Sequence, residues 1–194
     1  MTKIIGLTGG IGSGKTTIAN YIKSKGIPVY IADDEARKLL YDEVIKEKIK
    51  NAFGETIFDN SILSKEKLAK IVFTDPDKLN TLNSIVHPAV IAHFKNWLEC
   101  NKQEPIVFKE AAILFESGSD KDCDAVITVT APVELRIERV INREKISRTE
   151  VLNRINNQWT DEMRLSKSKY HIDNIDLTSS FRQVDEILKK IVNH

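Results

Sequence analysis

Residues 1–16 read Met-Thr-Lys-Ile-Ile-Gly-Leu-Thr-Gly-Gly-Ile-Gly-Ser-Gly-Lys-Thr, and their order decides the fold. Ile4, Ile5 and Leu7 make an apolar run of the length a buried strand needs. The run breaks into Gly9-Gly10-Ile11-Gly12-Ser13-Gly14-Lys15-Thr16, and Thr17-Ile18-Ala19-Asn20-Tyr21-Ile22 has helical character. Strand, glycine-rich turn and helix start in this order form a P-loop, G-x-x-x-x-G-K-[ST], opened by Gly9 and closed by Gly14-Lys15-Thr16. Glycines tolerate the backbone angles and close approach that aim several N–H groups inward as an anion nest. The helix start adds its unsatisfied amides and the positive end of its dipole. Lys15 then reaches the β- and γ-phosphates, and the Thr16 hydroxyl is a candidate Mg²⁺ ligand. The motif establishes phosphate binding and leaves the acceptor of that phosphate open.

Composition narrows the classes without naming one. The 194 residues are enough for a proper core, with 41% hydrophobic and 29% charged side chains. The 29 basic and 28 acidic residues nearly cancel, so bulk charge gives no reason to expect nucleic acid or a membrane surface as partner. Cys100 and Cys123 are too few for a disulfide framework and lack metal-ligand spacing, which makes reduced thiols the expectation. No stretch approaches the ~18 apolar residues of a membrane span, and the N-terminal apolar run is broken by Gly6. A cytoplasmic protein, monomeric or weakly self-associating, is expected.

Strands and helices then alternate. Gly26 ends the first helix, and Pro28 opens a strand at Val29-Tyr30-Ile31 that runs into Asp33-Asp34-Glu35. Helical spacing resumes at Ala36, Leu39, Leu40, Val44, Ile45, Ile49 and Phe53. After a turn-rich break over 54–60, residues 64–101 read as helices only, with Ser64 as an N-cap and Leu68, Ile71, Val72 and Phe73 on an apolar face. Asp75-Pro76 starts another helix, which His87-Pro88 is expected to interrupt. The region 34–101 thus lacks strand signals and reads as a helical lobe inserted between sheet strands. Strands follow at Ile106-Val107-Phe108, ending near Glu110, at Ala125–Val129 and at Tyr170–Asp173; a final helix covers Phe181 to Val192. The pattern predicts an α/β fold with a mostly parallel sheet covered on both faces.

Asp33, at the carboxyl end of a strand one crossover from the P-loop, is the candidate carboxylate that accepts a hydroxyl proton; a helix N-cap explains it equally. Arg37, four residues on, orients that carboxylate, touches an anionic substrate or makes a surface pair. Arg136, Arg139, Arg143, Arg148 and Arg154 lie on a polar helical segment. They read as lid arginines that screen a transferring phosphate, Arg139 and Arg143 pointing the same way, or as a solvated face neutralised by Glu138, Glu144 and Glu150. His87 is a capping or packing residue, or touches substrate; Trp97 and Trp159 read as core-facing helix residues. Asn101-Lys102-Gln103-Glu104 imitates the guanine-reading N-K-x-D but follows a helix and ends in Glu, and no glycine has an aspartate three residues before it. A GTPase switch is excluded on those grounds.

The chain resembles the dephospho-coenzyme A kinases over essentially its whole length. The resemblance rests on Leu7 to Thr17, Ala32-Asp33 with Ala36-Arg37, Val86-His87-Pro88, Ile113 to Gly118, Arg139 with Arg143, and Gln158 followed by Ile172-Asp173-Asn174. It implies a P-loop NTPase fold: three α/β/α layers, a five-stranded parallel sheet, an inserted helical substrate lobe and a helical lid. The nucleotide core would be 1–33 and 104–194, with the lid at about 139–168 and the CoA-substrate lobe at 34–103. The implied activity is transfer of the ATP γ-phosphate, with Mg²⁺, to the ribose 3′-hydroxyl of dephospho-CoA. Asp33, Lys15 and Arg139 would be catalytic, and Gly10, Ile11, Gly12, Ser13, Gly14, Lys15, Thr16, Thr17 and Arg143 would hold the nucleotide. Thr8, Asp33, Arg37, His87 and Glu116 would meet the acceptor. The chain departs from the pattern where Ile31 replaces an aspartate, Ala112 a proline and Lys169-Tyr170 an Ala-Asp pair. Other small-molecule P-loop kinases and a non-catalytic nucleotide switch are the competing readings.

Overall fold

The computed structural model describes residues 2–72 and 74–192, in two compact units: 1–31 with 101–194, and 32–100.

The first unit carries β1 (Lys3–Thr8), α1 (Lys15–Ser24) and β2 (Val29–Ile31) before the chain leaves it. In the second unit lie α2 (Ala32–Leu39), α3 (Glu43–Phe53), β3 (Phe58–Asp59), β4 (Ile62–Leu63), α4 (Lys65–Val72) and α5 (Pro76–Cys100). On its return the chain adds β5 (Ile106–Glu110), β6 (Ala125–Thr130), α6 (Val133–Glu144), α7 (Arg148–Asn156), α8 (Asp161–Leu165), β7 (Tyr170–Asp173) and α9 (Leu177–Val192).

Among the described residues of the first unit, five parallel strands run in the order β2-β5-β1-β6-β7. This is the α/β architecture with flanking helices that the strand and helix pattern predicts. β1 is central, with Leu7 in register with Glu110 of β5 and with Ile127 of β6. Its loop therefore leaves the carboxyl edge of the sheet at mid-sheet, where open α/β sheets bind ligands. The core joins Ile5, Leu7, Phe108, Ile127, Val129 and Ile172 to Ile18 and Ile22 of α1 and to Val184, Ile187 and Ile191 of α9. Tyr21 and Phe181 stack at 3.9 Å between α1 and α9, and Lys25 pairs with Asp185 at 2.7 Å beside them. A separate cluster of Ile137, Val140 and Val151 binds α6 to α7 and takes in the Ile11 side chain.

In the second unit Ile45, Ile49, Ile57, Leu63, Leu68 and Val72 form the core. Asp42 caps α3 by accepting from the Val44 and Ile45 amides, and Asp75 caps α5 by accepting from Asp77 and Lys78. Phe73 lies outside the described residues.

The structure differs from the sequence reading at two places here. Region 34–101 is not free of strands: β3 and β4 pair antiparallel around Asn60 and Ser61, both at positive φ, +48° and +66°. Two successive positive φ values match the right-handed twist of a two-residue hairpin. His87-Pro88 does not interrupt α5, which runs through both residues. An interior proline costs about 3 kcal/mol; Val86 and Phe94, eight residues apart on one face and both buried, hold the helix across it.

Cys100 is exposed and Cys123 half-buried, and neither is in a disulfide. Burial pushes the Cys123 thiol up to about 11, which keeps it protonated and unreactive at pH 8. A colorimetric thiol reagent at pH 8 is expected to label Cys100 promptly and Cys123 only after denaturation. Prompt labelling of both in the native protein contradicts this.

Candidate active site

The glycine-rich turn is shaped by its own backbone. The Ser13 amide donates to the Gly10 carbonyl at 3.1 Å, and the Thr17 and Ile18 amides donate to the Gly14 carbonyl at 3.0 and 3.2 Å. The turn opens α1 at Lys15, so it ends at a helix N-terminus, a ready anion site. Gly12 sits at φ +78°, and a Cβ there would lie 2.4 Å from the Arg136 carbonyl oxygen, so both conformation and space require glycine. Ile11 departs from the expected nest: its amide donates to Gln158 Oε1 at 2.8 Å and is thereby committed within the protein.

Lys15 Nζ lies 4.0 Å from Glu110 Oε1, with the two side chains 10% and 3% exposed. Glu110 closes β5 in register with Leu7, the strand residue next to Thr8 and the turn. Sequence reasoning passed over Glu110, although an acid closing an apolar strand beside the P-loop strand was the available signal. A hydroxyl at Thr16 and a carboxylate at Glu110 are hard oxygen donors, the kind Mg²⁺ takes. Among the described residues no group of three or more His, Cys, Asp or Glu could hold a metal, so phosphate and water oxygens would complete such a site.

Arg139 reaches the same loop. Its Nη2 donates to the Asn174 carbonyl at 2.9 Å, while its Nη1 is buried with no hydrogen-bond partner among the described residues, 3.8 Å from where a Gly14 Cβ would sit. A buried donor left unsatisfied costs about 1–3 kcal/mol, which a phosphate oxygen beside Gly14 would relieve. Asn174, 1% exposed, donates from Nδ2 to the Ser13 carbonyl at 2.8 Å, and its Oδ1 accepts from Ser180 at 2.9 Å. The turn is thus gripped by the segment after β7.

The remaining arginines of the expected lid run do not join Arg139. Arg143 pairs with Glu144 in solvent and does not point with Arg139; Arg154 also pairs with Glu144, and Arg148 makes a two-pronged pair with Glu134 at 2.7 and 2.8 Å. Arg136 is not on a lid surface at all: it is 4% exposed and bonded to Asp161 at 3.0 Å. Burial pulls its guanidinium below the usual value, with Asp161 opposing.

The expected acceptor residues fall in both units. Thr8 is fully buried, its hydroxyl directed at the Ala112 carbonyl at 3.5 Å. Glu116 Oε1 accepts from Arg164 at 3.0 Å and from the Trp159 amide at 3.2 Å, while its Oε2 is buried with no hydrogen-bond partner among the described residues. Trp159 lies between α7 and α8, stacked on Phe115, rather than on a helix. In the second unit, Asp33 is the second residue of α2, two residues past the end of β2, and is exposed. It lies inside the helix, which removes the N-cap explanation. Arg37 pairs with Asp34 at 3.1 Å rather than with Asp33, and His87 is exposed on α5.

The chain is similar to known proteins. A family model described as dephospho-CoA kinase matches residues 3–179. A dephospho-CoA kinase of Fusobacterium nucleatum is 38% identical over 190 residues, covering 97% of this chain and 98% of its own. One from Bacteroides fragilis strain YCH46 is 37% identical over 171 residues, covering 88% and 83%. A crystal structure from Thermus thermophilus superposes with a TM-score of 0.88 at 33% identity, covering 97% of each chain. An Acinetobacter baumannii shikimate kinase, at TM-score 0.56 and 16% identity, shares the fold alone. The chain belongs to the dephospho-CoA kinase family.

Proposed function

We propose that this protein transfers the γ-phosphate of ATP to the ribose 3′-hydroxyl of dephospho-CoA, giving coenzyme A and ADP, the last step of coenzyme A synthesis. The observation that carries the reading is a family match that spans the phosphate loop and the whole of residues 32–100 together. Little covalent chemistry is asked of the protein; positioning and charge screening do the work. The glycine turn and the start of α1 cradle the phosphates, with Lys15 on the β- and γ-oxygens and Arg139 Nη1 beside Gly14. As the new bond forms from the 3′-oxygen to the γ-phosphorus, the bond from that phosphorus to the β,γ-bridging oxygen breaks. Asp33 takes the hydroxyl proton, and ADP leaves. Thr16 and Glu110 would hold Mg²⁺, which screens the phosphate charge when bound.

Within the expected lid, the end after Gln158 is anchored, because Trp159 and Arg164 are packed against Phe115 and Glu116. Arg37 and His87 bind the acceptor from the 32–100 unit. We place the protein in the cytoplasm as a monomer or weak homo-oligomer, without nucleic acid as partner. No helix among the described residues is long and apolar enough to cross a membrane.

Purified protein with ATP and Mg²⁺ is expected to release ADP when dephospho-CoA is added, and not with shikimate or nucleosides. ADP release driven by another acceptor and not by dephospho-CoA overturns the reading. Glu110→Gln is expected to raise the Mg²⁺ concentration for half-maximal rate by about tenfold or more, as a lost charged ligand does. An unshifted Mg²⁺ titration removes Glu110 from the metal site.

A further inference from the structure

We propose that Gln158 and Arg136 are positioning residues for phosphoryl transfer, which fix the path of the phosphate loop by holding the Ile11 backbone at its amide and its carbonyl. Three independent contacts converge on this loop residue. Its N–H donates to Gln158 Oε1 at 2.8 Å, its carbonyl accepts from Arg136 Nε at 2.9 Å, and its side chain packs into the α6–α7 cluster of Ile137, Val140 and Val151. A P-loop binds phosphate through backbone amides, so the orientation of its peptide planes is its specificity. With both polar groups of Ile11 engaged by side chains, the planes on either side of it are set before nucleotide arrives. Fixed donors of this kind need no rearrangement when charge develops.

The holders are themselves held. Arg136 Nη1 donates to Asp161 Oδ2 at 3.0 Å, and the space beside Gly10, where a Cβ would fall 2.1 Å from Arg136 Nη2, is filled by this guanidinium. Asp161 Oδ1 faces Arg164 at 3.5 Å, and Arg164, fully buried, donates to Glu116 and to the Trp159 carbonyl. The residue next to Gln158 is thereby tied three times: the Trp159 carbonyl accepts from Arg164, its amide donates to Glu116, and its ring stacks on Phe115, 5.8 Å away and nearly parallel. Gln158, by contrast, touches the loop through one hydrogen bond and is only half-buried. It can be changed with least damage to the fold.

The inference rests on the nucleotide-binding half of the proposed function, so its first readout needs no acceptor. ADP binding is measured by calorimetry on Gln158→Met and on the double variant Arg136→Met/Asp161→Asn, which avoids leaving Asp161 without its cation. Gln158→Met is expected to weaken ADP about tenfold, the scale of one net hydrogen bond. It should lower kcat/KM for ATP by on the order of 10²-fold, the cost of a small misplacement of reacting groups, with the KM of the acceptor unchanged. Adding Gln158→Met to the double variant should weaken ADP by less than its effect alone, since both act on the same residue. A lower melting temperature with wild-type ADP affinity and wild-type KM for ATP means a merely structural role and overturns the inference, as does full additivity. If dephospho-CoA fails to stimulate wild-type ADP release while Gln158→Met still weakens ADP, the proposed function falls and the positioning role stands.

Discussion

Asp33→Asn is expected to lower kcat by about 10²- to 10⁴-fold, the range that a positioned proton acceptor contributes, while ADP and ATP bind as before. Asparagine keeps the size of the side chain and removes its capacity to take a proton. Asp33 has no hydrogen bond or ion pair among the described residues, so its replacement breaks no contact of the fold. The loss of one charge from the first turn of α2 costs at most about 0.3–1 kcal/mol of helix stabilisation, small beside the catalytic effect. Steady-state kinetics with saturating dephospho-CoA, together with calorimetric nucleotide binding, separate the two. A kcat within a few-fold of wild type would remove Asp33 from proton transfer. Unchanged kcat with a raised acceptor KM would make it a binding residue instead.

Lys15→Met is the other large effect. The methionine keeps an unbranched stem of similar reach and removes the ammonium, so what is lost is charge on the β- and γ-oxygens. Removing one preorganised donor from a developing anion lowers kcat by about 10²- to 10³-fold, and ADP binding weakens as well because the β-phosphate loses the same partner. The split differs from that of Asp33→Asn, which spares nucleotide binding. Since Lys15 also lies 4.0 Å from Glu110, the variant should be measured together with Lys15→Met/Glu110→Gln. If the double variant recovers ADP affinity toward wild type, the single variant's loss came from an uncompensated Glu110 and not from the phosphate contact.

How much of this was legible in the sequence depended on how local the signal was. The P-loop, the strand at Val29–Ile31 and the β-branched run at Ala125–Val129 are written in contiguous residues, and each appears where the spacing puts it, the last extended by Thr130. The β3–β4 hairpin was missed because two-residue strands give no alternation to read, and Ser61 at positive φ is a residue choice that carries no turn signal. The break expected at Pro88 failed because local propensity yielded to tertiary burial on either side of it. The arginine run showed the limit most clearly. Arg136 and Arg139 are three residues apart and look alike in sequence, yet one is buried against Asp161 and the other reaches the loop. Their difference is set by Asp161, Asn174 and Gly10, far away in the chain, and no helical spacing encodes it.

The central place of β1 has a consequence for how the protein is made. Its ladder partners begin at Ile106 and Ala125, so β1 cannot pair until the whole of residues 32–100 has followed it from the ribosome. Contacts this distant in sequence form late. Residues 32–100, whose contacts are mutual, can condense while the opening strand still waits. The anion-binding turn that follows β1 therefore takes its final shape only after strands made much later, β5 and β6, have docked beside it.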